Sequence, residues 1–107
     1  MRTVFNRWPG GRFKCLTLSY DDGVVEDRQL VEIMNRYGLC GSFHINGGLF
    51  DSKDRLGASE IPSLYAGHEI SAHMRMHPFP TQLTREEILA ETLEDRLSVE
   101  RVRGRWQ

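Results

Sequence analysis

Two adjacent carboxylates, Asp21 and Asp22, and two histidines four positions apart, His73 and His77, are the residues of this sequence best suited by type and spacing to carry chemistry. Neighbouring side chains at a strand end point in different directions, so one carboxylate could ligate a metal ion while the other acts as a base beside it. Asp-Asp-Gly is equally ordinary turn chemistry, since aspartate bonds its own backbone and glycine accepts positive φ. The H-x-x-x-H spacing sets both imidazoles on one side of a helical turn, within reach of one cation. Histidines so spaced also occur in exposed loops that bind nothing. Two histidines and one carboxylate with open positions make a recurrent catalytic metal site, and the combination is more specific than either pair.

The other candidates read as structural. His44 lies in an apolar run that alternates toward core or sheet surface, and His68 follows Gly67 in a turn. Met74 and Met76 read as packing around the site, because a thioether would suit a softer ion. Asn46-Gly47-Gly48 could present backbone amides to a ligand, but a tight strand-exit turn explains it as well. Cys15 and Cys40 are too far apart for a C-x-x-C motif and read as free and partly buried.

Three strand-then-helix units must position these groups. The first strand is predicted over 13–19, a short apolar run that meets Tyr20-Asp21-Asp22-Gly23 and suits a buried parallel strand. Leu30, Ile33, Met34 and Tyr37 then mark an amphipathic helix that Gly38 ends. A second strand spans 41–46, a polar loop 51–57, and a short helix 60–66 before Gly67. The third strand, 69–72, delivers the chain into the stretch from His73 to His77. Thr84 and Glu87 fit a capping box and Leu83 and Ile88 a hydrophobic staple, so a last helix starts there, with Leu89, Leu93 and Leu97 as its apolar stripe toward Val102. Alternating strands and helices predict a parallel α/β sheet. Both polar clusters then fall on the carboxyl-end rim, where such folds place function.

With 107 residues, 39% of them hydrophobic, the chain is sized for one small domain. Its 14 basic and 15 acidic side chains nearly cancel, which leaves no electrostatic footprint for nucleic acid or an anionic membrane. Arg101, Arg103 and Arg105 read as solvated, favourable charge at a helix C-terminus, with an anion-binding patch as the minor alternative. No membrane-spanning run occurs, and residues 1–10 lack the apolar core of a signal peptide, so a cytoplasmic location is expected.

Three segments resemble the polysaccharide deacetylases of the NodB-homology type, carbohydrate esterase family four. Thr17-Leu18-Ser19-Tyr20-Asp21-Asp22-Gly23 is similar to that family's T-F-D-D-G motif, and Gly41-Ser42-Phe43-His44-Ile45-Asn46-Gly47 to its A-T-F-F-V-N-G strand. Gly67-His68-Glu69-Ile70 running into His73 and His77 is similar to G-H-E-I-x-x-H-x-x-x-H. The resemblance implies that Asp21 is the general base, that Asp22, His73 and His77 hold a divalent ion, zinc or cobalt, and that the substrate is an N-acetylated glycan resembling peptidoglycan or chitin. It identifies no substrate-binding residue.

Met74 departs from the serine or threonine usual after the first metal histidine, and the family's later arginine-proline and leucine-x-histidine motifs are absent. The implied fold is a partial (β/α) barrel of about three βα units, residues 1–107 being a truncated deacetylase domain. A complete barrel needs about 200 residues or more. Its open sheet edge would be covered by self-association or by a missing C-terminal half. Without the late motifs the chain's standing as an enzyme is left open. The alternative reading is a catalytically impaired fragment that binds metal or glycan, or half of a split enzyme.

Overall fold

A computed structural model describes residue 1 and residues 6–104. Among these, the strands β1 (Ser19–Asp21), β2 (Ser42–Ile45) and β3 (Glu69–Ala72) form an open parallel sheet in the order β1-β2-β3. Helices α1 (Asp27–Arg36), α2 (Ile61–Leu64) and α3 (Arg85–Arg103) alternate with and follow the strands. The result is the α/β partial barrel, open rather than closed.

Register decides what each sheet face carries. Tyr20, Phe43 and Ile70 are cross-strand partners in one row, and with Ile45 they face the helices. There they meet Val31 and Met34 of α1 and Val99 of α3 in a single apolar cluster. Alternation puts Ser19, Asp21, Ser42, His44, Glu69 and Ser71 on the opposite face, where none is buried. That face pairs polar groups across strands: Ser19 Oγ lies 2.9 Å from His44 Nε2, and the Ser42 hydroxyl donates to Glu69. Parallel sheets usually bury both faces in apolar contacts. Here one face is polar and open.

The first strand is therefore shorter and wetter than expected. Pairing starts where the Leu18 carbonyl accepts from Ser42 N at 2.8 Å. Among the described residues, those before Leu18 have no sheet strand opposite them, because the chain before Gly41 is still leaving α1. Phe13 and Leu16 stay exposed, and so do both free cysteines, against the expected partial burial.

Helix α1 ends in a Schellman motif: Leu39 N donates to Met34 O and Gly38 N to Asn35 O, with Gly38 at φ 65°. Its buried face is Asp27, Val31 and Met34, one step round from the expected stripe, leaving Ile33 and Tyr37 in solvent. Asp27 is tolerated inside because the Tyr65 hydroxyl donates to its carboxylate at 2.5 Å. Burial pushes the Asp27 carboxyl above its ordinary range, opposed by that bond, and also raises Tyr65.

Helix α3 starts at Thr84 with both bonds of the predicted capping box in place. Its inward face is not the leucine stripe. Asp95 and Val99 are buried, while Leu89, Leu93 and Leu97 are half exposed. The rotation follows from Asp95, whose two oxygens satisfy backbone amides at the sheet rim. Arg101 and Arg103 occupy the last turn as expected; Arg105 lies outside the described residues.

Candidate metal centre

Asp22 sits one step beyond β1. Its N–H donates to His44 O at 2.7 Å, extending the β1–β2 ladder before the chain turns through φ 81° at Asp22. An L-residue in the left-handed region is strained, aspartate less than most. The turn is held by Arg55, whose guanidinium donates to the Asp22 carbonyl and, at 3.1 Å, to Asn46 Oδ1. Arg55 arrives on the loop after β2, which pairs back on this turn through a Val24–Arg55 bridge and a Leu56 N to Gly23 O bond of 3.0 Å.

His73 leaves β3 with its N–H shared between Ile45 O at 3.0 Å and Asp95 Oδ2 at 2.6 Å. The buried Asn46 amide donates to His73 O at 2.6 Å and to Met74 O at 2.8 Å. The stretch to His77 is not the helical turn that the spacing suggests. Met74 at φ 64° and His77 at φ 53° fold it into an irregular loop, which still returns the second imidazole beside the first, ring centroids 5.2 Å apart. Proline at position 78 disfavours helical backbone at His77, which accounts for the difference.

The Asn46-Gly47-Gly48 turn spends its amides on the protein itself. Gly48 N donates to Arg75 O at 2.9 Å, and Gly47 N donates to Asp95. A side chain at Gly48 would meet Arg75 O at 2.7 Å, and one at Gly47 would meet Ser98 Cβ at 2.5 Å, so glycine is required for close approach.

Within this frame Asp22 Oδ1 lies 3.5 Å from His73 Nε2 and 3.2 Å from His77 Nε2. One ligand atom from each of the three residues falls within 4.8 Å of the others. Asp22 Oδ1 is also buried and, among the described residues, makes no hydrogen bond. Ligands about 2.0–2.2 Å from a tetrahedral ion stand roughly 3.3 Å apart, so the two carboxylate–imidazole separations fit a cation between them. A buried acceptor aimed at two imidazole nitrogens and left unsatisfied is what such an ion would complete. Imidazole and carboxylate donors suit several divalent ions and do not select zinc over cobalt.

Asp21 approaches the same imidazole from the open face, Oδ2 lying 3.8 Å from His73 Nε2, with its side chain 56% exposed. The structure thus brings Asp21, Asp22, His73 and His77 together. His44 hydrogen-bonds Ser19, and its ring lies 6.3 Å from that of His73. His68 is buried: Nδ1 accepts from Gly41 N at 3.1 Å, which leaves Nε2 to donate to Asn35 Oδ1 at 2.7 Å.

Asn46, Arg55 and Asp95 are the residues that sequence reasoning missed as parts of the site. Asp95 had a signal, an acid in helical register with Ile88, Val99 and Val102. Burial pushes its carboxyl up, while the N–H bonds from Gly47 and His73 pull it down. One expectation is corrected. The absence of late motifs leaves the chain's enzymatic standing open in sequence, yet Asp22, His73 and His77 come together as a candidate catalytic metal-binding triad, which argues against a chain without catalytic motifs.

A Streptococcus pyogenes deacetylase solved with acetate shares this fold at a TM-score of 0.83 and 16% identity, over 94% of this chain and 45% of that one. A Bacillus cereus polysaccharide deacetylase matches at 0.76 and 16%, over 96% and 35%. A family 4 carbohydrate esterase from Streptomyces lividans, also solved with acetate, matches at 0.66 and 24%, over 84% and 46%. At these identities the likeness is one of fold, and the chain spans less than half the length of each. No curated protein matches it. The family profile for polysaccharide deacetylase matches residues 9–106, and this chain belongs to that family.

Proposed function

We propose that this chain carries the metal centre of a hydrolase that removes N-acetyl groups from a glycan resembling peptidoglycan or chitin, with zinc as the ion. The observation that carries the reading is the buried Asp22 Oδ1, without a hydrogen bond among the described residues, facing His73 Nε2 and His77 Nε2. Asp22, His73 and His77 hold the ion, which when bound supplies Lewis acidity toward an amide carbonyl and toward water.

Asp21 is the general base. Its carboxylate is exposed on the polar sheet face and lies 3.8 Å from His73 Nε2, beside the place where the ion would be held, and there it would accept a proton from water. Water oxygen bonds to the N-acetyl carbon, the carbon–nitrogen bond breaks, and acetate and a free amine leave. Asp21 takes the proton from water and returns it to the departing nitrogen. His73 is steadied by backbone bonds on both sides, which hold the peptides from which its ring projects.

Calorimetry with zinc and acetate release from N-acetylglucosamine oligomers test this. One ion per chain is expected, lost in His73→Ala and in His77→Ala. Asp21→Asn should keep zinc and lower acetate release about a hundredfold or more. Zinc binding that survives both histidine substitutions would overturn the site assignment. Bound zinc without acetate release from any N-acetylated glycan would overturn the activity.

A further inference from the structure

We infer that Asp95, with Glu91 one turn before it on α3, positions the loop that carries both histidines. The inference rests on the proposed metal site and extends it to residues that never touch the ion. Asp95 is fully buried on a helix face otherwise suited to apolar contact, as Val99 one turn later shows. A carboxylate there is tolerated only if its oxygens are satisfied, and each accepts a backbone N–H from a different loop. Oδ1 takes Gly47 N in the turn after β2, and Oδ2 takes His73 N at 2.6 Å.

Glu91 Oε2 accepts Met76 N at 2.8 Å, so α3 grips the loop near each histidine, at His73 itself and at the residue before His77. The hold continues to the third ligand. Asn46 takes the His73 and Met74 carbonyls, Arg55 bonds Asn46, and Arg55 also bonds the Asp22 carbonyl. With the peptides on both sides of His73 fixed, only its side-chain torsions remain to aim Nε2. Asparagine at 95 offers one acceptor and turns a second N–H donor toward a backbone N–H, which removes one of the two attachments.

The test is zinc calorimetry and the visible spectrum of the cobalt-substituted chain, for wild type, Asp95→Asn, Glu91→Ala and Val99→Ala. Asp95→Asn should weaken zinc binding about ten- to a hundredfold and shift the cobalt bands. Glu91→Ala should act in the same direction by less. Val99→Ala, a cavity on the same helix, should lower the melting temperature and leave affinity and spectrum as in wild type. Wild-type zinc affinity and spectrum in both Asp95→Asn and Glu91→Ala would overturn the inference. So would equal affinity losses in Asp95→Asn and Val99→Ala at matched losses of melting temperature. If the wild-type chain binds no zinc, the proposed function fails instead, and amide exchange in chelator decides this inference. Faster exchange at His73 in Asp95→Asn and at Met76 in Glu91→Ala, beyond any change in Val99→Ala, sustains it; unchanged exchange overturns it.

Discussion

Replacing Asp22 by glycine should stabilise the metal-free protein while abolishing the proposed metal site. Asp22 holds φ 81°, and its Oδ1 is buried without a hydrogen bond among the described residues. The left-handed backbone costs an L-residue about 1 kcal/mol, and an unsatisfied buried acceptor about 1–3 kcal/mol. Glycine removes both and gives back roughly 0.5–1 kcal/mol in chain entropy, for a net gain of about 1–3 kcal/mol. The bonds from Asp22 N to His44 O and from Arg55 to the Asp22 carbonyl are indifferent to the side chain. In a domain of this size each kcal/mol moves the melting temperature by about 4–8 °C. Melts followed by circular dichroism at pH 8, where free histidine carries little charge, should therefore place Asp22→Gly at least about 4 °C above wild type in chelator. Zinc at a hundred times its dissociation constant adds about 2.7 kcal/mol to wild type and nothing to the variant, which closes or inverts the gap. A variant that melts below wild type in chelator would refute the strain argument. Equal zinc stabilisation of both proteins would refute Asp22 as a ligand.

Gly47→Ala should destabilise the fold by about 1–3 kcal/mol in urea, because the new methyl group meets Ser98 Cβ at 2.5 Å and Asp95 Oδ1 at 2.8 Å. Gly38→Ala has open space around it and should cost only its backbone strain, about 1 kcal/mol; equal costs at the two sites would contradict the packing argument. Thr84→Ala removes the cap of α3 and should cost about 1 kcal/mol, measured in the same way; no loss would show that the capping box adds nothing to the fold. Asp27 gives a pH-dependent test. Its folded-state pKa is raised by burial, so its contribution to stability is full below about pH 4 and is lost as pH rises through the raised value. Asp27→Asn keeps an acceptor for the Tyr65 hydroxyl, and it should gain on wild type as urea titrations move from pH 3.5 toward 7. A stability gap that stays constant across that range would remove burial as the cause.

The elements were legible where a local rule decides them. Thr84 and Glu87 announce α3, Gly38 announces the end of α1, and strand β3 falls on the residues expected. Which face of a helix turns inward was not legible, because periodicity records where apolar residues lie and burial also depends on what the sheet rim needs. Leu89, Leu93 and Leu97 make the better stripe on paper. Asp95 sits inside instead, since a carboxylate supplies acceptors to two backbone amides at the rim, Gly47 N and a His73 N that it shares with the Ile45 carbonyl. The same reasoning covers α1, where the Tyr65 hydroxyl makes room for Asp27 in the core.

Candidate ligand types were legible because metal chemistry restricts which side chains can serve, and Asp22, His73 and His77, which the structure brings together, belong to that short set. Their supports act on backbone atoms, which every residue possesses, so nothing in the sequence marks their targets. Asn46 holds two carbonyls, Arg55 a third, and Asp95 two amides. The irregular path from His73 to His77 makes these supports necessary. A helical turn would set the two imidazoles by its own hydrogen bonds, whereas a loop bent through Met74 and His77 has no such internal ladder. Its geometry must be imposed from outside, by the β2 turn on one side and α3 on the other. The proposed metal site therefore depends on three ligands and on the helix packed behind them, and substitution of Asp95, unlike that of its buried neighbour Val99, should reach the ion through the backbone of His73.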